Sequence, residues 1–165
     1  MEKEKRGILD VREFACYIKC KYYYKYKKEI TPIKLQKSLY FCFAYWAGFV
    51  LKSKGSEEEI NQDVYLFDAT FKAWTYGPVI PEIYHEQQEG TLVEIITEKQ
   101  IFKDNDILKE TINSLLDDIF EISDFKLVNL THADNCWINN FDVDAKKHDK
   151  KISCEEIIKE YAHRY

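Results

Sequence analysis

The sequence predicts a mostly α-helical fold (α+β) with small β-hairpin elements, and three stretches carry that expectation. Residues 31–54 join a clean helix start to the densest apolar run in the chain. Residues 106–120 place apolar side chains at helical spacing. Between them, Asp63 to Pro81 is rich in aromatic and β-branched residues and contains a Tyr76-Gly77-Pro78 turn signal. The expected architecture is a compact helical domain around one central buried helix.

The central helix has recognisable ends. Thr31 suits an N-cap, Pro32 suits the first helical position, where an N–H has no partner, and Gly55 suits a left-handed stop. From Leu39 to Leu51 the chain is apolar or aromatic on every side, as a helix enclosed by other elements would be. A bilayer span needs roughly 20 apolar residues. This run is shorter and follows Lys34, Gln36, Lys37 and Ser38, so it reads as a core helix rather than a membrane span.

The chain has 165 residues, of which 45% are hydrophobic and 15% aromatic, enough for one sizeable core and too rich for a disordered chain. A single domain over residues 10–165 is expected behind a flexible segment 1–9. The net charge of -5 works against nucleic acid as a general partner. The first residues lack the apolar stretch of a secretory signal, and five cysteines, an odd number, suggest reduced thiols in the cytoplasm.

In chain order, Asp10 and Glu13 begin a first helix to about residue 25, with Phe14, Tyr17, Ile18 and Tyr24 on its inner side. Its end interleaves Lys19, Lys21, Lys25, Lys27 and Lys28 with tyrosines. That pattern serves either a solvated helix end or a single-stranded nucleic-acid surface. Glu57-Glu58-Glu59 reads as a solvated loop, and Gly77, which precedes a proline, as extended. A short helix should run from Pro81 to before Gly90, and residues 91–96 and 100–102 suggest a small β pair. Asn105 or Asp106 caps an amphipathic helix with Ile107, Leu108, Ile112, Leu115, Leu116, Ile119 and Phe120 on its apolar side. Ser123 opens another helix, residues 139–151 read as a polar mobile loop, and Ser153 with Glu156 reads as a capping box for a last helix carrying Ile157, Ile158 and Tyr161.

The common catalytic signatures are absent: no phosphate-binding glycine loop, no H-E-x-x-H and no G-x-S-x-G. Cys16 and Cys20 lie one helical turn apart, as do His132 and Cys136, which is a spacing a zinc site uses, but it is also ordinary for buried thiols. His132, Asp134 and Cys136 hold the residue types of a nucleophile, base and orienter, yet such groups are normally drawn from distant segments. The expectation is therefore no enzyme, no metal and no cofactor.

Three stretches together resemble one family. Lys34-Leu35-Gln36-Lys37-Ser38-Leu39-Tyr40-Phe41, then Phe71-Lys72-Ala73-Trp74-Thr75-Tyr76-Gly77-Pro78-Val79-Ile80-Pro81, then Leu130-Thr131-His132 with Trp137 are similar to the SocA-like, or Panacea, antitoxin domain, also known in phage-associated GepA-like proteins. The likeness rests on Leu35, Lys37, Tyr40, Phe71, Trp74, Gly77, Pro78, Thr131, His132 and Trp137. Ser38 stands where the family often has an aliphatic residue, and Cys136 where many members have proline or a small residue. The resemblance implies an antitoxin of a bacterial or prophage toxin–antitoxin pair that binds its toxin directly. In one branch the antitoxin is an adaptor that delivers the toxin to a protease.

The partner this implies is a toxin protein encoded next door. A nucleic-acid regulator using Lys19–Lys28 is the alternative from another class. Acidic residues from Asp117 and Asp118 to Asp124 suit a basic toxin. Trp74 and Tyr76 are either recognition surface or a buried turn on the central helix, and exposure of the Trp74 ring separates the two.

Overall fold

The computed structural model describes residues 6–54 and 62–164. The central helix is present as α2 (Pro32–Lys54), following α1 (Val11–Tyr26). Thr31 caps it: its Oγ accepts from the Lys34 amide at 3.1 Å and donates to Asp124 at 2.6 Å. Gly55 and the acidic run Glu57–Glu59 lie outside the described residues. From Leu35 to Ala44 every α2 residue is buried, because other elements surround the rod on all sides.

A hairpin of β1 (Phe71–Trp74) and β2 (Gly77–Val79) precedes α3 (Pro81–Glu89), α4 (Glu98–Phe102), α5 (Asp106–Phe120), α6 (Asp124–His132) and α7 (Asn135–Ile138). The chain then returns as β3 (Lys150–Ile152) and ends in α8 (Cys154–Ala162). The sheet order is β2-β1-β3, antiparallel throughout, with Phe71 opposite Ile152 and Trp74 opposite Gly77. α2 is the hub against which α1, α5, α6, α8 and β2 pack. Phe43, Phe67, Phe71 and Tyr40 form the aromatic centre of the core. The fold is mostly α with small β elements.

Several local expectations are overturned. Residues 91–97 are irregular and α4 is a helix, so the small β pair does not form. Thr97 and Gln100 make a reciprocal capping box that starts α4, and the backbone of the preceding loop is satisfied from α1 instead of a strand. Arg12 donates to the Thr91 carbonyl and to Glu86 and Glu94, and Lys19 donates to the Leu92 carbonyl. Val93 and Ile95, strand-like in type, are left exposed.

The segment expected to be a mobile loop supplies β3, which pairs with β1 through Lys150 and Lys151. On α1 the buried tyrosine near the end is Tyr22, while Tyr24 is 80% exposed. On α5, Ile107 sits outside the stripe and is exposed. Ser153 caps α8 through the Glu155 amide, and Glu156 turns to Asn140, so no reciprocal box forms there. In the segment expected to fray, Leu9 is buried and bridges to Phe67.

The C-terminal helix is tied to the hub by one carboxylate. Asp134, 1% exposed, accepts from the Tyr40 and Tyr161 hydroxyls, both at 2.6 Å, and from the Arg164 guanidinium at 2.7 Å. Burial and the neighbouring carboxylate both push the two phenols upward, so they stay protonated donors. α2, α7 and α8 thus meet at one acceptor. A buried charge deprived of its partners is costly. Asp134→Asn, which puts an NH₂ among these donors, is expected to lower stability by about 3 kcal/mol. Tyr161→Phe, which deletes one donor, should cost about 1 kcal/mol. Urea midpoints check both, and an unchanged midpoint for Asp134→Asn would contradict the anchoring role.

Candidate functional site

The Trp74–Pro78 turn is held from beneath by three residues of two helices. Lys37 Nζ, on α2, donates to the Pro78 carbonyl at 3.1 Å. Its neighbour Gln36 grips the Ile80 backbone with both ends of its amide, accepting from the N–H at 2.8 Å and donating to the carbonyl at 3.3 Å. Thr131 of α6 closes the third side. Gly77 has φ +111°, which is not the extended conformation expected of it, and a Cβ there would stand 2.4 Å from Thr131 Oγ and 3.0 Å from Lys37 Nζ. Only glycine satisfies both the backbone angle and this approach.

From above, the turn is held by aromatic donors. Trp137 Nε1 donates to the Trp74 carbonyl, and His132 Nε2 donates to the Thr75 carbonyl, both at 2.9 Å. The two rings stack at 4.0 Å, and the column continues through Phe141 to His148. At the hairpin's edge, Asp149 accepts from Lys72 at 2.9 Å and from Trp74 Nε1 at 3.1 Å. Those two donors, Lys72 first, hold its carboxyl below the usual range. The chain from 141 to 149 is thereby strapped alongside the turn.

A cleft of about 470 Å³ opens between these parts. Gln36, Lys37 and Val79 are its buried floor, with Pro32 and Ile33 beside them. Trp74 and Tyr84, in edge-to-face contact at 5.2 Å, form a wall. Tyr76, 62% exposed, stands at the rim with Lys146 and Lys147. Trp74 is partly buried, so its ring belongs both to the hairpin and to the cleft surface.

The remaining residues singled out from sequence are placed elsewhere. Leu35, Tyr40 and Phe71 lie in the core. Asp117 and Asp118 are exposed on α5, where Asp117 pairs with Lys21 at 3.2 Å. Lys25 and Tyr26 both reach Glu121. Lys21 and Lys25 of α1 thus face Asp117 of α5 and Glu121 at its end, although Tyr23 and Tyr24 remain exposed.

His132, Asp134 and Cys136 do not converge. His132 points to the turn, Asp134 to Tyr40 and Tyr161, and Cys136 to Tyr40 at 3.2 Å, with burial pushing its thiol up to about 12. Cys16 and Cys20 face Glu94 instead. Sequence reasoning missed Gln36, Phe141, His148 and Asp149, and it weighed Asp134 only beside His132 and Cys136, not as an anchor. Gln36 stood inside the quoted motif, and the others carried no periodic signal.

Lys37 is 1% exposed, and burial pulls its ammonium down to about 7 from 10.5. Because the unfolded chain holds this proton up to its ordinary range, unfolding takes up a proton between those limits, and Lys37's contribution to stability rises with pH. The cost of burying it charged is fully present below about 7. Buried cysteines act in the opposite direction above their ordinary pKa, so the measurement is the difference between wild type and Lys37→Met. That difference should move in favour of wild type by about 2 kcal/mol from about pH 6 to about pH 8.5. A difference flat with pH would show that Lys37 is not buried as described. Gly77→Ala should cost at least about 2 kcal/mol in urea unfolding, through strain and overlap with Thr131.

A family model described as antitoxin SocA-like, Panacea domain, matches residues 57–138. No curated protein and no solved structure matches the chain. Among the described residues, no helix is long and apolar enough to cross a membrane. The match contains the Trp74–Pro78 turn, Thr131, His132 and Trp137, while the supports Gln36 and Lys37 on α2 lie outside it. It is over residues 57–138 that the chain is similar to the SocA-like antitoxin, Panacea domain family.

Proposed function

We propose that this chain is the antitoxin of a bacterial or prophage toxin–antitoxin pair, and that it neutralises its toxin by direct protein–protein binding without catalysis. The family supports the antitoxin role. The observation that carries the binding mode is the Trp74–Tyr76 turn, fixed by Lys37, Gln36, His132 and Trp137 and presented beside an apolar cleft. A turn pre-ordered in this way loses little conformational entropy when a partner docks. Five free thiols, four of them pushed upward by burial, are in keeping with a reducing cytoplasm.

Trp74 and Tyr76 are the residues we place in the toxin interface. Asp117 and Asp118, exposed on α5, contribute by steering a basic surface from a distance. Their reversal to Lys should slow association in low salt and lose its effect in high salt. An equal effect at both salt levels would remove that role.

A nucleic-acid role for Lys19–Lys28 is less well supported, because Lys21 and Lys25 are engaged by Asp117 and Glu121. The decisive experiment expresses the neighbouring open reading frame alone and together with this chain. Growth arrest by the neighbour, relieved by co-expression, is the expected result, and a harmless neighbour would overturn the proposal. Masking predicts a stable complex with unchanged toxin half-life, whereas delivery to a protease predicts a shortened one.

A further inference from the structure

The charges around the turn are distributed unevenly. The ionisable side chains that line the cleft, its tyrosines apart, are all bases: Lys37, Lys146, Lys147 and His148. The nearest acid of the strap, Asp149, is already shared by Lys72 and Trp74, and Lys147 reaches it only at 3.9 Å. Asp142 and Asp144, the other acids of that segment, do not line the cleft. Lys37, in the floor, has three donors, and among the described residues its acceptor is the Pro78 carbonyl. Among the described residues, His148 Nδ1 is buried without a hydrogen-bond partner.

The opposite pattern holds on α5 and at the start of α6. There three acids are matched by this chain's own lysines: Asp117 by Lys21, Glu121 by Lys25, and Asp124 by Lys34 at 3.6 Å. In a chain of net charge -5, the apolar cleft is therefore rimmed by bases.

We infer that this cleft is the seat for an acidic segment of the partner protein, with an aromatic or aliphatic side chain of that segment inserted between Trp74, Val79 and Tyr84 and its flanking carboxylates facing Lys146 and Lys147. The chemistry follows from the lining. An apolar pocket between fixed walls supplies the energy of burying one anchor. Lysines at the rim favour acidic partners over basic ones and make the contact depend on salt. Tyr76, an exposed ring on a rigid turn, covers the anchor at low entropic cost. This inference rests on the proposed binding role and names its site and the charge of the one segment that docks there, distinct from the basic surface steered by Asp117 and Asp118.

The test uses fluorescein-labelled peptides in anisotropy titrations against the full chain. One peptide carries Phe and Leu flanked by Glu, a second has Lys in place of each Glu, and a third has Ser in place of Phe and Leu. The first is expected to bind at least about tenfold more tightly than either of the others, with the advantage over the Lys peptide shrinking in high salt. Tyr76→Ser should weaken the acidic peptide several-fold. Lys146→Glu with Lys147→Glu should reverse the preference between the Glu and Lys peptides.

All three positions are exposed, and unchanged thermal melting verifies folding. No saturable binding of the acidic peptide, equal binding of the first two peptides, or a preference unmoved by the double reversal would overturn the inference. In the growth assay, wild-type failure to rescue sinks the antitoxin role. Full rescue by the Tyr76, Lys146 and Lys147 variant sinks only this site.

Discussion

The contact on which the turn depends is the approach of Lys37 and Thr131 to a residue with no side chain. Gly77 sits where any Cβ would overlap the Thr131 hydroxyl, and its φ of +111° is open to few other residues. Through that gap α2 and α6 both reach the hairpin, one by a buried amine and the other by a hydroxyl. The cost is a lysine held away from water with a carbonyl as acceptor, so burial drives its proton affinity down. Such a site does little for stability on its own account. What it provides is a single position for the turn relative to the central helix.

That position explains the layout above it. With the Trp74 and Thr75 carbonyls pinned, their donors are the Trp137 indole and the His132 ring, which stack on each other as they reach them. Phe141 and His148 extend the stack and draw the following chain back across the hairpin, where it becomes β3. Asp149 completes the closure by taking donors from both Lys72 and Trp74. Tyr76 is left at the tip, exposed yet carried on a backbone bonded on either side. An exposed aromatic ring on a rigid support is suited to recognition.

Electrostatics divides the surface into two unlike faces. On the α1 and α5 side, Lys21 with Asp117 and Lys25 with Glu121 are already matched within the chain, and these exposed pairs contribute little to stability. Among the described residues, the bases around the cleft have one shared acid between them. A face whose charges are internally matched gains less from a charged partner than one whose charges are not. This asymmetry, not the net charge of the chain, bears on which partner is accepted.

By itself the sequence determined the elements whose signals are local. Thr31 and Pro32 start the central helix, Asn105 starts the amphipathic one, and the solid apolar run from Leu39 to Leu51 shows that other elements must surround it. Capping and periodicity act over a few residues, so they are readable from a few residues. The tertiary structure alone decided that residues 91–97 stay irregular, because Arg12 and Lys19 on a distant helix satisfy their backbone. It alone decided that Lys150–Ile152 becomes a strand, because a strand needs an edge to pair with. It also placed Asp134 inward and His132 on the turn, though the two stand two residues apart, since each direction is set by partners from tens of residues away. Hydrogen bonds between remote segments leave no period in the sequence, and this cleft is built almost wholly from them.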